Sequence, residues 1–374
     1  MEVLYELWLQ SICNFEPERV EKAVVLFENK GKKFSSPESD MHMLKKLGIA
    51  KELEKKLADP ETFRKAKEIA DYCEKNQIRI ITQDSNEYPE ILKHITTPPR
   101  VLYAKGEKLD LDDRLAISVV GTRKPTAQGR NAARRIGKKL AENGIMVVSG
   151  MAEGIDGEAQ FGALEGGGKT IAVLAGSVDA IYPKVHTRLY YDILKNGTVL
   201  SERPPGTVVR RYFYQQRNRI VVGLTQGTVV VEGEEHSGTS ITARLALENN
   251  RDIFAVPGNP VAIQSALPNR LISEGAEIMN RLEVPIEYYR ENRPDLFEKT
   301  KPGRPVSDTR TELAPDDAAI VGFILKNGGI ADGEELAENL KMAPAALGSK
   351  LMILCIRGIL RQESGNRYMV VEID

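Results

Sequence analysis

Between Arg203 and Arg219 the chain reads Arg203-Pro-Pro-Gly-Thr-Val-Val-Arg210-Arg211-Tyr212-Phe213-Tyr214-Gln-Gln-Arg217-Asn218-Arg219: five arginines, three consecutive aromatics and no carboxylate in seventeen positions. A guanidinium is a fixed charge with a planar fork that matches phosphate oxygens, and an aromatic ring offers a face to an unpaired base. Glycine-rich turns accompany this stretch, at Gly121-Thr122-Arg123-Lys124, Ser149-Gly150-Met151-Ala152-Glu153-Gly154 and Ser237-Gly238-Thr239-Ser240. Small residues let backbone amides approach an anion, and the helix start that follows such a turn adds partial positive charge. The combination fits a pocket for the backbone and bases of single-stranded nucleic acid. An arginine-rich surface loop with its aromatics in the core fits the same residues, and tight strand-to-helix turns also need glycine. These residues alone leave both readings open.

Other chemistry has less support. No GxGxxG follows a strand and no P-loop pattern occurs, so NAD and ATP sites are not expected, and no cofactor or metal site is read. The four histidines, His42, His94, His186 and His236, lie in unrelated contexts, without HExxH or GxSxG. His236, beside Ser237, is the one candidate catalytic histidine, and a solvated loop histidine explains it as well. Asp156 and Glu232 could serve as bases, or as a helix N-cap and a strand-end carboxylate.

The formal net charge of -1 excludes a protein that coats nucleic acid with its whole surface, so any such site must be local. Cys13, Cys73 and Cys355 are too scattered for a disulfide framework or a zinc site and are expected as reduced core thiols. The acidic start, Met1-Glu-Val-Leu-Tyr-Glu, is unlike a secretory signal, and no apolar run approaches the roughly 20 residues of a membrane helix. A cytoplasmic protein without membrane contact is expected.

These groups must be carried by regular elements. Residues 1–75 show helical spacing, as in Leu44, Leu47, Ile49, Leu53 and Leu57, and predict a small SAM-like or helix-hairpin-helix-like domain. Strand-like segments follow at Arg79–Thr82, Glu87–Leu92 and Pro98–Gly106. From residue 115 buried β runs alternate with helices: strands at Leu115–Val120, Ile145–Val148, Thr170–Leu174, Gly197–Leu200, Thr228–Val231 and Asp252–Val256, and helices at about 126–142 and 156–165. This rhythm predicts an α/β domain over 76–290, a Rossmann-like doubly wound parallel sheet. The loops named above then meet at the carboxyl ends of its strands. Prolines at 294, 302, 305 and 315 mark a linker over 291–312, and 313–374 reads as a winged helix. Its candidate recognition helix, 344–357, carries only Lys350 and Arg357 as cations, which favours a protein contact over duplex reading.

The order of motifs resembles the bacterial DNA-processing protein A family, DprA or Smf. The matching residues are Val120-Gly121-Thr122-Arg123-Lys124-Pro125, Ser149-Gly150-Met151-Ala152-Glu153-Gly154-Ile155-Asp156, Tyr182-Pro183, Arg217-Asn218-Arg219-Ile220-Val221-Val222-Gly223-Leu224, Ser237-Gly238-Thr239-Ser240-Ile241-Thr242-Ala243 and Phe254-Ala255-Val256-Pro257-Gly258. Ala159-Gln160 and Ala175-Gly176-Ser177 depart from the family pattern. The resemblance implies a non-enzymatic homodimer that binds and protects incoming single-stranded DNA in natural transformation. It also implies RecA loading past the single-strand-binding protein. It puts Arg123 on a phosphate, and gives Arg210, Arg211 and Phe213 charge and a stacking face. A nucleotide phosphoribohydrolase on a related fold is the alternative, but Ser237-Gly238-Thr239 lacks its Pro-Gly-Gly and Thr242 stands near the place of its glutamate. A nucleotide-sensing winged-helix regulator is the other.

Overall fold

Apolar β-branched runs that are buried on both faces build the centre of the molecule. The computed structural model describes residues 2–13, 16, 19, 60–300, 315–327, 330–340, 342–356, 359–363 and 366–370. Its two compact units are Met1–Val306 and Ser307–Asp374. In the first, the strands are β1 (Arg79–Thr82), β2 (Val101–Gly106), β3 (Ala116–Val120), β4 (Met146–Ser149), β5 (Thr170–Val173), β6 (Gly197–Ser201), β7 (Gly227–Val230), β8 (Asp252–Ala255) and β9 (Glu277–Ile278). The principal helices are α1 (Glu2–Ile12), α2 (Pro60–Lys75), α3 (Ala127–Glu142), α4 (Ile155–Glu165) and α5 (Thr187–Asn196). They continue with α6 (Arg211–Gly223), α7 (Gly238–Glu248), α8 (Ala266–Ser273) and α9 (Val284–Asn292).

The strands form one sheet in the order β1-β2-β6-β5-β4-β3-β7-β8-β9. Pairing is parallel from β6 to β9, and β1 and β2 extend it antiparallel beyond β6. The chain therefore runs outward from β3 to β6 and then crosses back to β7. In such sheets the reversal opens a crevice at the carboxyl ends of the strands, here at β3, β4 and β7. The period of two sorts the core. Ala116 and Val120 of β3 pack with α6, α7 and α8 on one face. Ile117 and Val119 pack with α3, α4 and α9 on the other.

Helices α1 and α2 share a third cluster with α5 and with Tyr103 and Val199 of the sheet. The expected domain boundary at residue 75 therefore does not appear as a division of the described chain. Leu44, Leu47, Ile49, Leu53 and Leu57 lie outside the described residues. The segment Glu87–Leu92 is not a strand: Pro89 precedes a single helical turn, Glu90–Lys93. No helix of the described residues is long and apolar enough to cross a membrane.

The second unit holds α10 (Pro315–Lys326), β10 (Ile330–Asp332), α11 (Gly333–Asn339), α12 (Pro344–Ile356), β11 (Leu360–Glu363) and β12 (Arg367–Val370). Its antiparallel sheet runs β10-β12-β11. Its described elements run helix, short strand, two helices and a hairpin, with Leu347, Leu351 and Leu354 of α12 in the core and Met352 and Ile353 exposed.

Candidate functional site

Each loop at the sheet's carboxyl edge is fixed by its neighbours. After β3, the Thr122 amide donates to the Glu232 carbonyl at 2.8 Å, and the Ile155 amide donates to the Thr122 carbonyl at 3.3 Å. This ties the loops that follow β3, β4 and β7 together. Gly154 has φ +85, and a side chain there would meet Pro125 at 2.8 Å, so glycine is required by conformation and by space. Glu232 accepts from the Thr126 amide at 2.9 Å and from its hydroxyl at 2.5 Å, and Thr126 in turn caps α3 through the Gly129 amide at 2.9 Å. With both carboxylate oxygens engaged, Glu232 holds the loop rather than offering a free base.

Asp156 is not the N-cap expected from sequence. Gly154 holds that place, and Asp156, one residue inside the helix, accepts the Gly150 amide at 3.1 Å. Burial pushes its carboxyl above the usual range, opposed by the charge of Arg217, and burial likewise lowers Arg217 against the pull of Asp156. The Arg217 guanidinium lies directly under Gly150, donates to the Val173 carbonyl and is 7 % exposed. Ser149 is buried and donates to the Val119 carbonyl at 2.7 Å. Met151 is buried at φ +53, and its carbonyl meets His186 Nδ1 at 3.0 Å. The expected anion loop at 149–152 thus spends Ser149, the Gly150 amide and Met151 inside the protein; Ala152 reaches the crevice, and Gly150 and Ala152 line a side chamber beside it.

The arginine-rich stretch divides in two. Arg203 is buried, with its guanidinium 4.0 Å over the Phe213 ring, and it also donates to Gln216. Arg219 pairs with Glu202 at 2.6 Å, both side chains largely buried. Asn218 donates to Thr242 at 2.8 Å and joins α6 to α7. Arg203, Arg217 and Arg219 are therefore spent on structure: Arg217 forms part of the crevice's wall, and Arg203 and Arg219 brace α6 outside its lining. Arg210 and Arg211, at the N-cap and first turn of α6, are exposed, as are Arg123 and Lys124. None of these four has an ion-pair partner among the described residues. Two cations at a helix start oppose the macrodipole, at a cost of roughly 0.3–1 kcal/mol each, which a bound anion would offset.

Phe213 is 6 % exposed, its faces taken by Arg203 and Tyr212, so it is not the open stacking face expected from sequence. Helical period explains this: Phe213, Arg217, Ile220 and Val221 share the buried face of α6. Tyr214 points the other way into the crevice, with the Arg123 guanidinium over one face of its ring at 4.6 Å and the ring of Tyr182 at 6.4 Å. Sequence reading missed both tyrosines. A helix drawn through the stretch, rather than a loop, would have picked out Tyr214.

The result is a groove of about 1030 Å³. Gly121, Thr122 and Arg123 form one side, Arg210, Arg211 and Tyr214 another, and Ser237, Gly238, Thr239 and Ser240 the third. Ser237 and Ser240 cap α7 reciprocally, and open space stands where a side chain on Gly238 would lie, leaving that helix start accessible. A side chamber of about 210 Å³ opens between Tyr182, Tyr214 and Gly176. The carboxylates lining these spaces are Asp156, already bonded, and Glu153. Lys124 stands outside the groove, as do Phe213 and Arg219.

Fold and site together define a Rossmann-like α/β protein with a cationic, tyrosine-lined groove at the reversal point of its sheet. The family model for DNA recombination-mediator protein A matches residues 79–290. The chain belongs to that family, the DprA/Smf proteins. It is 41 % identical over 200 residues to the DNA processing protein DprA of Bacillus subtilis, covering 54 % of this chain and 67 % of that one. It is 32 % identical over 321 residues to protein Smf of Synechocystis, covering 78 % and 79 %. The crystal structure of DprA from Streptococcus pneumoniae superposes with a TM-score of 0.63 at 30 % identity, over 75 % of this chain and 95 % of that one. DprA from Helicobacter pylori, whose structure was described for its single-stranded DNA binding mode, superposes at 0.53 with 28 % identity, over 58 % and 97 %.

Proposed function

We propose that the groove holds one strand of unpaired DNA, with phosphates against Arg123, Arg210, Arg211 and the start of α7, and a base on Tyr214. The observation that carries this reading is the pairing pattern: the arginines spent on structure have internal partners, while the cations at the mouth face a groove almost without free carboxylate. The ring faces favour unpaired bases over duplex, whose stacked bases have no free face. Membership in a recombination-mediator family and the single-strand binding of the Helicobacter relative support it. On this reading the protein is a mediator without catalysis of its own, acting as a homodimer. It protects the strand and passes it to RecA past the single-strand-binding protein. Gel shift of oligothymidylate against duplex of equal length tests the reading. Preference for the single strand, lost in Arg210→Ala/Arg211→Ala, is expected. Equal binding to duplex, or a silent double variant, would overturn it.

A further inference from the structure

The open surface continues past the groove. Tyr182 lines both the groove and the side chamber and is 55 % exposed. After Pro183 the chain makes a short 3-10 turn, Lys184–His186, that runs straight into α5. Burial along this segment follows helical spacing: His186, Leu189, Tyr190 and Ile193 are inside. Lys184, Val185, Arg188, Tyr191 and Lys195 are outside, with Val185 70 % and Tyr191 52 % exposed. Residues three and four apart on a helix share a face, so the exposed set makes one stripe that begins at the groove's rim. Asp192 is the one carboxylate in α5, and its 3.6 Å pair with Arg188 lies in solvent, where it is weak. Rings spaced by cations are the composition that holds unpaired strands, with faces for bases and charges for phosphates.

We propose that a single strand leaving the groove crosses Tyr182 and continues along the exposed face of α5, over Lys184, Arg188 and Tyr191. The proposal rests on the reading of the groove as the primary site and adds a second tract to it. Ten helical residues are about 15 Å long, enough for a few further nucleotides.

A ladder of oligothymidylates from about 4 to about 16 nucleotides, the span of common single-strand site sizes, separates the two tracts by fluorescence anisotropy. Lys184→Ala/Arg188→Ala and Tyr191→Ala remove exposed groups and should leave the fold intact. Both variants should match the wild type on the shortest strands. On the longest, Tyr191→Ala should bind about tenfold more weakly, and the double variant's salt slope should fall by about 0.7 for each cation removed. Arg210→Ala/Arg211→Ala should weaken binding at every length. If the stripe variants follow the wild type over the whole ladder while the groove variant fails, the strand leaves by another route and the proposal is overturned, with the groove intact. If the groove variant is silent at every length, the primary reading falls and takes this one with it.

Discussion

Two neighbouring aromatics, Phe213 and Tyr214, should respond to the same truncation in opposite ways. Phe213 is 6 % exposed, with Arg203 4.0 Å over one face and Tyr212 edge-on at 4.6 Å. Removing a buried phenylalanine side chain costs about 3–5 kcal/mol in transfer and cavity terms. For a unit of this size each kcal/mol moves Tm by roughly 2–4 °C, so Phe213→Ala should lower it by on the order of 10 °C. Affinity of the folded fraction should change little, because no face of that ring is open. Tyr214 lines the groove, and its ring contacts among the described residues are with Arg123 and Tyr182. If a base stacks there, Tyr214→Ala should forfeit about 1–3 kcal/mol of binding, roughly 5- to 150-fold in Kd. Tyr214→Phe should retain most of it. Anisotropy with a labelled oligothymidylate at fixed salt gives one axis and thermal melting the other. Normal affinity in Tyr214→Ala together with lost affinity and an unchanged Tm in Phe213→Ala would refute the assignment of faces.

Arg210→Ala/Arg211→Ala should reduce the slope of log K against log salt by about 0.7 per arginine with no change in melting, measured by titration at several salt concentrations. Arg219→Ala should instead destabilise the fold by about 3 kcal/mol, since it leaves Glu202 buried without its partner; denaturant unfolding checks this, and a stable variant with weak DNA binding would move Arg219 from a bracing role to the contact surface. The Cys73 thiol, pushed up to about 12 by burial, should resist a thiol reagent at neutral pH until the protein unfolds, and labelling as fast as a small thiol would mean that α2 opens readily.

The parallel strands were legible because a strand buried on both faces must be a short apolar run, and Leu115–Val120, Ile145–Val148 and Thr170–Leu174 are such runs. Loops at their carboxyl ends followed from topology alone. The helix through Arg211–Gly223 was not drawn, because three adjacent aromatics and scattered arginines show no simple apolar stripe. Its buried face includes a charged residue, Arg217, which period counting treats as polar. That one omission exchanged the roles of Phe213 and Tyr214. Tyr182 was visible only as part of a motif, since its place beside Tyr214 depends on a return of the chain from β5. Ser149, Gly150 and Met151 looked like an anion loop because glycine and small residues serve equally to admit a ligand or a neighbouring guanidinium. In the folded chain Arg217 fills the space under Gly150.

On the proposed reading, that last substitution of a side chain for a ligand is part of how a chain with 52 basic and 53 acidic residues carries a local site for an anionic polymer. Glu202 pairs with Arg219, while Arg217 donates to the Val173 carbonyl and feels the nearby carboxyl of Asp156. The charges of Arg219 and Glu202 cancel at short range and contribute rigidity instead of long-range field. At the mouth, Arg123, Arg210 and Arg211 have no such answer, and two of them sit where the α6 dipole already favours an anion. Beyond about 8–10 Å at physiological salt the field of the remaining surface is screened. A strand placed in the groove as proposed would therefore meet the uncompensated arginines and not the chain's average charge. Near-neutrality and polyanion binding are compatible here because the compensation is spatially uneven, and removing a bracing carboxylate such as Glu202 should weaken the fold without improving the grip on DNA.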